Sequence, residues 1–294
     1  MNLAMPPNPP PAAAGGQPMP ERMRARVARA RALPPLPSVA LELLQVLGDE
    51  GCDVNRLSQI IGQDQAITAR VLQVANSPFY GMRARIASIQ DAVVVLGLGT
   101  VRALVTAATL RRALPEAAVS GFCPRQFWQH ALGCGVCARM LAQELRQNAE
   151  VLFTAGLLHD IGRLALVVVD PEAMAQVCAA SGTAPHCVVE RSVLGFDHAE
   201  FGAALAAHWN FPPVVVAGIA RHHSPDGEGG SVLADVLHVA DALSHALDFG
   251  SGPDGQVPPV STAALARLGL TEAALAPLLA RAEAHYEGLQ PLVD

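Results

Sequence analysis

The sequence contains no lysine, and all 20 of its positively charged side chains are arginine. This absence excludes Schiff-base chemistry, a lysine general base and a P-loop lysine, because each of these requires a lysine ammonium that either loses its proton or binds a phosphate. Charged residues are also scarce, at 16% of the chain against a usual share of about 25%. Since 51% of the 294 residues are hydrophobic, the chain can bury a large core, and disorder throughout is excluded.

Long hydrophobic runs are missing too. The longest apolar run, roughly residues 92–101, is much shorter than the ~18 residues that a membrane-spanning helix requires. The first 20 residues lack the basic start and the apolar centre of a secretory signal peptide. We therefore expect a soluble, cytoplasmic protein that makes no contact with a membrane, although its mean hydropathy of +0.30 is positive.

The N-terminal segment is rich in proline and arginine. Residues 1–20 hold seven prolines and few bulky apolar side chains, so they cannot offset the entropy lost on ordering. Five arginines follow within ten residues, namely Arg22, Arg24, Arg26, Arg29 and Arg31. Such a stretch can contact nucleic acid, anionic lipid or an acidic partner, but the net charge of −6 favours a solvated segment over nucleic-acid binding. The composition predicts a disordered tail over residues 1–32.

Apolar residues recur at helical spacing almost without interruption from Ser38 to the end of the chain. Helix boundaries are marked by residues that cap or break a helix: Ser38 and Ser88 precede apolar runs, and Pro78 ends the helix that runs to about residue 75. No segment alternates with period two for long enough to predict a sheet. The pattern therefore predicts an all-α protein, with turn-rich loops near residues 225–230 and 251–260.

All ten histidines lie between residues 130 and 285. His159 and Asp160 stand side by side where an apolar helix is expected to end, before Gly162. Taken alone, such a pair is typical of a helix cap or a surface. Further residues that can bind metal make a site more plausible; they are His130, His198, His222, His223 and Asp241. Imidazole and carboxylate together suit iron, manganese, zinc or nickel.

The remaining histidines differ in whether a carboxylate lies near them in sequence. Asp241 lies in an apolar run, where a carboxylate must be paired, hydrogen-bonded or bound to a metal, and the spacing of three and four residues places His238 and His245 on its helical face. We interpret the isolated His186, His208 and His285 as structural or exposed residues.

These histidines and aspartates occur together with characteristic segments of the first half. LPPLPSVALELL is followed by IIGQDQAITARVLQVANSPFY (Ile60–Tyr80) and by IASIQDAVVVLGLGTVRALV. The second half contains FTAGLLHDIGRLAL, ERSVLGFDHAEFGAALAAHWNFP and a paired histidine before a loop. Over residues 33–245 the chain resembles the HDOD family, bacterial relatives of the HD-domain phosphohydrolases.

The resemblance implies two packed helical subdomains, of which the second is HD-domain-like. We expect an N-terminal subdomain over residues 33–115, an HD-like subdomain over 116–245, and a loop with C-terminal helices over 246–294 that pack on the HD-like part. HDOD proteins are similar to signal-transduction modules and share no common catalytic reaction. The resemblance thus implies a non-catalytic regulatory module with a protein partner in a bacterial signalling pathway, whose HD-like site binds a divalent metal or a nucleotide.

The resemblance to HD-GYP phosphodiesterases implies seven metal ligands: His130, His159, Asp160, His198, His222, His223 and Asp241. Three departures count against catalysis. Gln126 stands where phosphodiesterases that bind three metals can place a glutamate, Arg163 stands where those enzymes carry a lysine, and the loop after His223 lacks the GYP triplet. Arginine can clamp a phosphate but cannot give up a proton.

Two alternatives to the regulatory module stay open. One is a metal-dependent phosphohydrolase or phosphodiesterase that acts on a cyclic (di)nucleotide, with His159, Asp160 and Arg163 as its catalytic residues. The other is a helical scaffold with an empty site. Metal content and a phosphodiesterase assay would discriminate between the three hypotheses.

Overall fold

The computed structural model describes residues 20–31, 54–62, 64–82, 84–113, 118–182, 184–227, 230–250 and 256–290. These residues form helices and loops and contain no strand, which confirms the all-α prediction. The disorder predicted for residues 1–19 and the helix predicted after Ser38 lie outside the described residues. The helices of the first half are α1 (Glu21–Arg31), α2 (Val54–Gly62), α3 (Gln65–Ala75), a 3₁₀ helix (Pro78–Tyr80), α4 (Ile89–Leu96) and α5 (Leu98–Ala113).

The second half is a longer series of helices. They are α6 (Pro124–Glu144), α7 (Ala149–Leu158), α8 (Ile161–Val169), α9 (Pro171–Ala180), α10 (His186–Leu194), α11 (His198–His208), α12 (Pro213–Arg221), α13 (Val232–Ala246), α14 (Thr262–Leu268) and α15 (Glu272–Leu289). Helices α6 and α7 pack together most extensively, and α13 lies against both of them. Helix α11 packs between α8 and α12.

Local capping sets several of these boundaries. The Ser88 side chain accepts a hydrogen bond from the backbone N–H of Asp91 at the start of α4, as its position predicted. Ser231 caps α13 in the same way through the N–H of Ala234. Each cap satisfies a backbone donor that a helix leaves unpaired in its first turn.

The first and second halves meet where α5 packs on α7. Arg102 is buried there and pairs with Glu150 at 3.1 Å between Nη2 and Oε2. The backbone N–H of Gly99 donates to the other Glu150 oxygen at 3.1 Å. The first turn of α7 is therefore held by α5, while the other end of α7 leads to His159.

The structure differs from the predicted disordered tail at residues 21–31. They form α1, which packs on α8 and α11 and buries Met23, Val27 and Ala30. Arg26 forms an ion pair with Asp170 at 2.7 Å. The prediction of disorder through residue 32 is wrong for this segment, because three apolar side chains one turn apart find a surface on the second half that composition alone does not reveal.

The C-terminal helices contact both halves. Helix α14 packs on α13, and α15 packs on α6 and on the 3₁₀ helix of the first half. At the latter contact the Ser77 hydroxyl donates to the carbonyl of Gly288 at 3.3 Å.

One stretch, Ala149–Val169, is long and apolar enough to cross a membrane by length and composition, and two bent helix pairs pass the same test if each is taken as one span. The stretch is 83% buried inside the protein and breaks at His159 and Asp160. Core packing thus accounts for its hydropathy.

Candidate metal centre

The site is centred on the break between α7 and α8. His159 ends α7, and Asp160 directly precedes α8. Helix α11 approaches α8 so closely that a Cβ on Gly162 would lie 2.0 Å from the carbonyl oxygen of His198. Only glycine leaves room for this approach, which brings the first residue of α11 to Asp160. Gly162 therefore has a structural role in assembling the site.

The first group of ligand-type atoms consists of His130, His159 and Asp241, which lie on α6, at the end of α7 and on α13. His130 Nε2 is 3.0 Å from Asp241 Oδ1, and His159 Nε2 is 3.7 Å from the same oxygen. All three side chains are buried. Three donors from three different helices thus converge on one point.

The second group consists of Asp160, His198, His222 and His223. Asp160 Oδ1 is 3.0 Å from His198 Nε2 and 3.4 Å from His222 Nε2. The Nε2 atoms of His198 and His223 are 2.8 Å apart. Asp160 Oδ1 is also 3.3 Å from His159 Nε2, so this carboxylate stands between the two groups.

Hydrogen bonds behind the rings fix how the histidines face the site. His159 Nδ1 donates to the carbonyl of Gly156 at 2.7 Å, and His222 Nδ1 donates to the carbonyl of Ile219 at 2.8 Å. His198 Nδ1 lies 2.5 Å from a carboxylate oxygen of the buried Glu190. Such partners turn Nε2 toward the interior of the site, which is how metal-binding histidines are oriented in proteins.

The charges in the site perturb one another strongly. Although burial favours the neutral acid, the positive charges of His159 and His198 hold the pKa of Asp160 well below its ordinary value. Burial opposes charge on His198, but Glu190 and Asp160 raise its pKa well above the ordinary histidine value. Burial and the neighbouring His222 lower the pKa of His223. The buried carboxylates therefore favour positive charge on His198, whereas burial favours the neutral form of His223.

Several inward-facing atoms have no hydrogen-bond partner among the described residues. They are His159 Nε2, Asp160 Oδ1 and His222 Nε2, and all three are buried. A buried polar atom without a partner is costly, and the 2.8 Å between the Nε2 atoms of His198 and His223 requires a proton on one of the two rings when no metal is bound. A divalent cation would satisfy these atoms, and imidazole with carboxylate is a suitable donor set for iron, manganese, zinc or nickel. The residues present therefore fit a metal.

All seven residues that the sequence singled out come together here. Asp160 lies with the second group rather than wholly with His130, His159 and Asp241, although it touches His159. That these residues bind a metal stays a prediction.

Arg163 lies at the edge of this arrangement. Its Nη2 donates to His186 Nε2 at 3.2 Å, and its guanidinium lies over the ring of Phe122. Burial and the charge of Arg163 lower the pKa of His186 to about 3, so His186 is a neutral acceptor. His186 is thus structural, as interpreted, but it has a specific partner.

Three residues of the site were not predicted as site residues. Glu190 orients His198, Ser244 Oγ lies 3.3 Å from His130 Nδ1, and His245 Nε2 lies 3.6 Å from Asp241 Oδ1. His245 carried a signal, because it follows Asp241 by one helical turn. Glu190 carried none, since its contact with His198 depends on how α10 packs on α11.

Comparison with known proteins agrees with this architecture. The model of the HDOD domain family matches residues 33–225. A solved structure from Shewanella amazonensis, of a protein provisionally assigned as a phosphohydrolase, is 32% identical with a TM-score of 0.72, over 92% of this chain and 98% of that one. A protein from Marinobacter aquaeolei, provisionally assigned to signal transduction, is 25% identical with a TM-score of 0.77, over 92% of this chain and 64% of that one.

Curated relatives share a smaller part. Ribonuclease Y of Bacillus subtilis is 35% identical over 118 residues, which are 40% of this chain and 18% of the relative. The chain spans less than half the length of such relatives.

Proposed function

We propose that this chain, which belongs to the HDOD family, is a signal-transduction module whose buried His–Asp site binds two divalent metal ions. One observation carries the proposal: Asp160 Oδ1 is buried without a hydrogen bond while imidazole Nε2 atoms face it at 3.0–3.4 Å. His130, His159 and Asp241 would hold one ion, and Asp160, His198, His222 and His223 would hold the other. When bound, such ions supply Lewis acidity toward a phosphoryl oxygen of a ligand.

Metal titration tests the proposal directly. Metal-stripped protein is titrated with Mn²⁺, and bound metal is counted by mass spectrometry after gel filtration. We expect two equivalents, with Asp241→Ala losing one equivalent and His223→Ala weakening the other. His208→Ala is the matched control, because His208 is an exposed histidine on α11. Wild-type protein that binds no Mn²⁺, Fe²⁺, Zn²⁺ or Ni²⁺ would refute the metal site.

The regulatory part of the proposal rests on α7. This helix carries Glu150, which α5 holds, and ends at His159 in the site, about 14 Å away along the helix axis. A metal that favours one position of α7 would therefore shift how the two halves pack. We expect the first half to present the surface that a signalling partner recognises.

Hydrogen exchange tests this coupling. Saturating Mn²⁺ is expected to slow exchange in α5 of the wild-type protein, and Glu150→Gln to abolish that effect while leaving two metal equivalents bound. Unchanged exchange in α5 on metal binding would contradict the coupling.

The second candidate function is a metal-dependent phosphohydrolase acting on a cyclic (di)nucleotide or another phosphodiester. It is favoured by the position of Asp160 between two ligand groups, because a carboxylate that serves two metals is compatible with two-metal phosphoryl chemistry. Its weakness is Arg163, which cannot act as an acid and already donates to His186.

Turnover decides between the two functions. The protein is assayed with Mn²⁺ or Fe²⁺ against cyclic di-nucleotides, single-stranded RNA and bis(p-nitrophenyl) phosphate. The regulatory proposal expects turnover far below the ~1 s⁻¹ of ordinary enzymes. Turnover at that rate, lost in His159→Ala and retained in His208→Ala, would establish the phosphohydrolase instead.

A further inference from the structure

We propose that the C-terminal segment, residues 256–268, positions His222 and His223 through a hydrogen-bond relay and so controls the second metal group. The inference rests on the proposed function for its metal readout. The segment lies beyond residues 33–225, which the family model matches. It comprises the chain before α14 and α14 itself.

His238 is the centre of the relay. It is buried on α13, three residues before Asp241. Its Nδ1 donates to the backbone carbonyl of His222 at 2.8 Å, and its Nε2 accepts from the backbone N–H of Ser261 at 3.0 Å. The two partners fix one neutral tautomer, because a carbonyl requires a donor at Nδ1 and an N–H requires an acceptor at Nε2.

The relay ends on a residue whose position matters to the site. His222 immediately follows α12, where helix carbonyls lack intrahelical partners. His238 donates a hydrogen bond to the backbone carbonyl of His222. The ring of His222 donates through Nδ1 to the carbonyl of Ile219, which turns His222 Nε2 toward Asp160. The backbone of His222 and the direction of its ring are thus fixed independently. The adjacent His223 depends on the same backbone.

A second tie links the segment to the loop that follows His223. The Ser261 hydroxyl donates to both carboxylate oxygens of Asp226 at 2.8 and 2.9 Å. Arg267 on α14 donates to the carbonyl of Pro225 at 3.1 Å and forms two hydrogen bonds with Asp235, at 2.7 and 2.9 Å. Asp235 is buried in the first turn of α13. A two-bond pair of this kind fixes orientation as well as distance.

The structure therefore connects α14 to the site by two routes, one through the backbone of His222 and one through the loop. Simple packing of α14 on α13 would stabilise the fold without placing an N–H on His238. The relay predicts a specific loss when this one N–H is removed. Ser261 permits the test, because its φ of −64° is the value that proline adopts.

The experiment compares Ser261→Pro with Ser261→Ala. Both variants lose the hydroxyl that caps α14 and contacts Asp226, so their difference reports the N–H that Ser261 donates to His238. The readouts are Mn²⁺ affinity of each equivalent and hydrogen exchange of residues 222–227 in metal-free protein. We expect Ser261→Pro to bind the second equivalent about 10-fold more weakly than Ser261→Ala, as for outer partners of metal ligands. Exchange should be about 5-fold faster, the effect of one hydrogen bond.

A second pair guards against a variant that fails to fold. His238→Asn retains a donor near the Nδ1 position, whereas His238→Leu removes it. The relay predicts that Asn retains the second equivalent better than Leu and protects residues 222–227 better.

The outcomes separate the two proposals. Two metal equivalents in the wild-type protein, with equal affinities and equal exchange in Ser261→Pro and Ser261→Ala, would overturn the relay alone. Wild-type protein without metal would refute the proposed metal site, and exchange of residues 222–227 in the metal-free variants would then support or overturn the relay by itself.

Discussion

Replacing Gly162 by alanine is expected to damage both the fold and the site. The new Cβ would lie 2.0 Å from the carbonyl oxygen of His198, 2.6 Å from the backbone nitrogen of Gly202 and 2.8 Å from its Cα. All three atoms belong to the backbone, so no side chain can rotate away. Because ordinary Cβ contacts lie at 3.4–4 Å, the close-packed helices α8 and α11 must separate by roughly 1.4 Å at this point.

The size of the effect follows from that displacement. Overpacking of a close-packed interior costs about 1–3 kcal/mol, and a backbone clash stands at the upper end, so we expect a loss of about 2–3 kcal/mol. For a domain of this order of size, the melting temperature falls by about 4–10 °C. In the structure, His198 Nε2 lies 3.0 Å from Asp160 Oδ1. The separation of the two helices would increase this distance. We therefore expect the second metal equivalent to bind about 10-fold more weakly.

Thermal unfolding and Mn²⁺ titration of the same variant measure the two effects. Gly62→Ala is the control, because nothing lies within 4 Å of a Cβ at Gly62 and its φ is not positive. The reasoning is refuted if Gly162→Ala melts with Gly62→Ala and binds both equivalents like the wild type.

Three further predictions concern a cap, an interface and metal removal. Asp64→Ala should cost about 1 kcal/mol at pH 7, because Asp64 caps α3. The backbone N–H of Ile67 is the main cause of the lowered pKa of Asp64. The stabilisation by this cap is therefore present above the ordinary pKa of 3.8 and is lost as pH falls through the folded pKa. Denaturant unfolding should show a smaller difference between the wild type and Asp64→Ala at pH 3 than at pH 7. Arg102→Ala should cost about 0.5–1.5 kcal/mol in urea unfolding, the net contribution of one hydrogen bond, because Glu150 is 43% exposed to water and keeps its hydrogen bond from Gly99; a loss near zero would contradict a role for this pair in joining the halves. Chelation of metal-loaded protein should lower the melting temperature, by the equivalent of about 2.7 kcal/mol for each ion, or about 5.4 kcal/mol for two ions, when free metal was at 100 times the Kd of each site, and an unchanged melting temperature would count against two bound ions.

Local sequence was sufficient to predict the helices, because their boundaries depend on neighbouring residues. Ser88 caps α4 and the Ser77–Pro78 step ends α3, and both effects act within one helical turn. Helix α1 could not be predicted in this way. Its three buried side chains are Met23, Val27 and Ala30, too few to signal a helix amid arginines, and they are buried only because α8 and α11 provide the opposing surface.

The candidate site also combines features that local sequence predicts with features that depend on tertiary packing. His159 and Asp160 are adjacent in sequence, and the other candidates followed from the resemblance to a family. Their grouping depends on topology: Asp160 faces His198 because Gly162 permits α8 and α11 to touch. Glu190 contacts His198, 8 positions away in sequence, and His238 contacts His222, 16 positions away. Sequence spacing alone does not predict that residues this far apart come into contact.

The energetics of the site argue against a purely structural scaffold. Asp160 and Asp241 are buried beside five imidazoles, and a buried ionic cluster is frequently no more stable than apolar side chains of similar volume, or less stable by about 1–4 kcal/mol. Asp160 Oδ1 has the Nε2 atoms of His159, His198 and His222 around it at 3.0–3.4 Å, but burial opposes the positive charge that His198 needs in order to pair with it. A scaffold would be more stable with leucine or phenylalanine at these positions. A bound cation would offset both costs at once, because it would replace protons on the imidazoles and pair with the oxygen, so the same residues that weaken the metal-free fold would stabilise the loaded one.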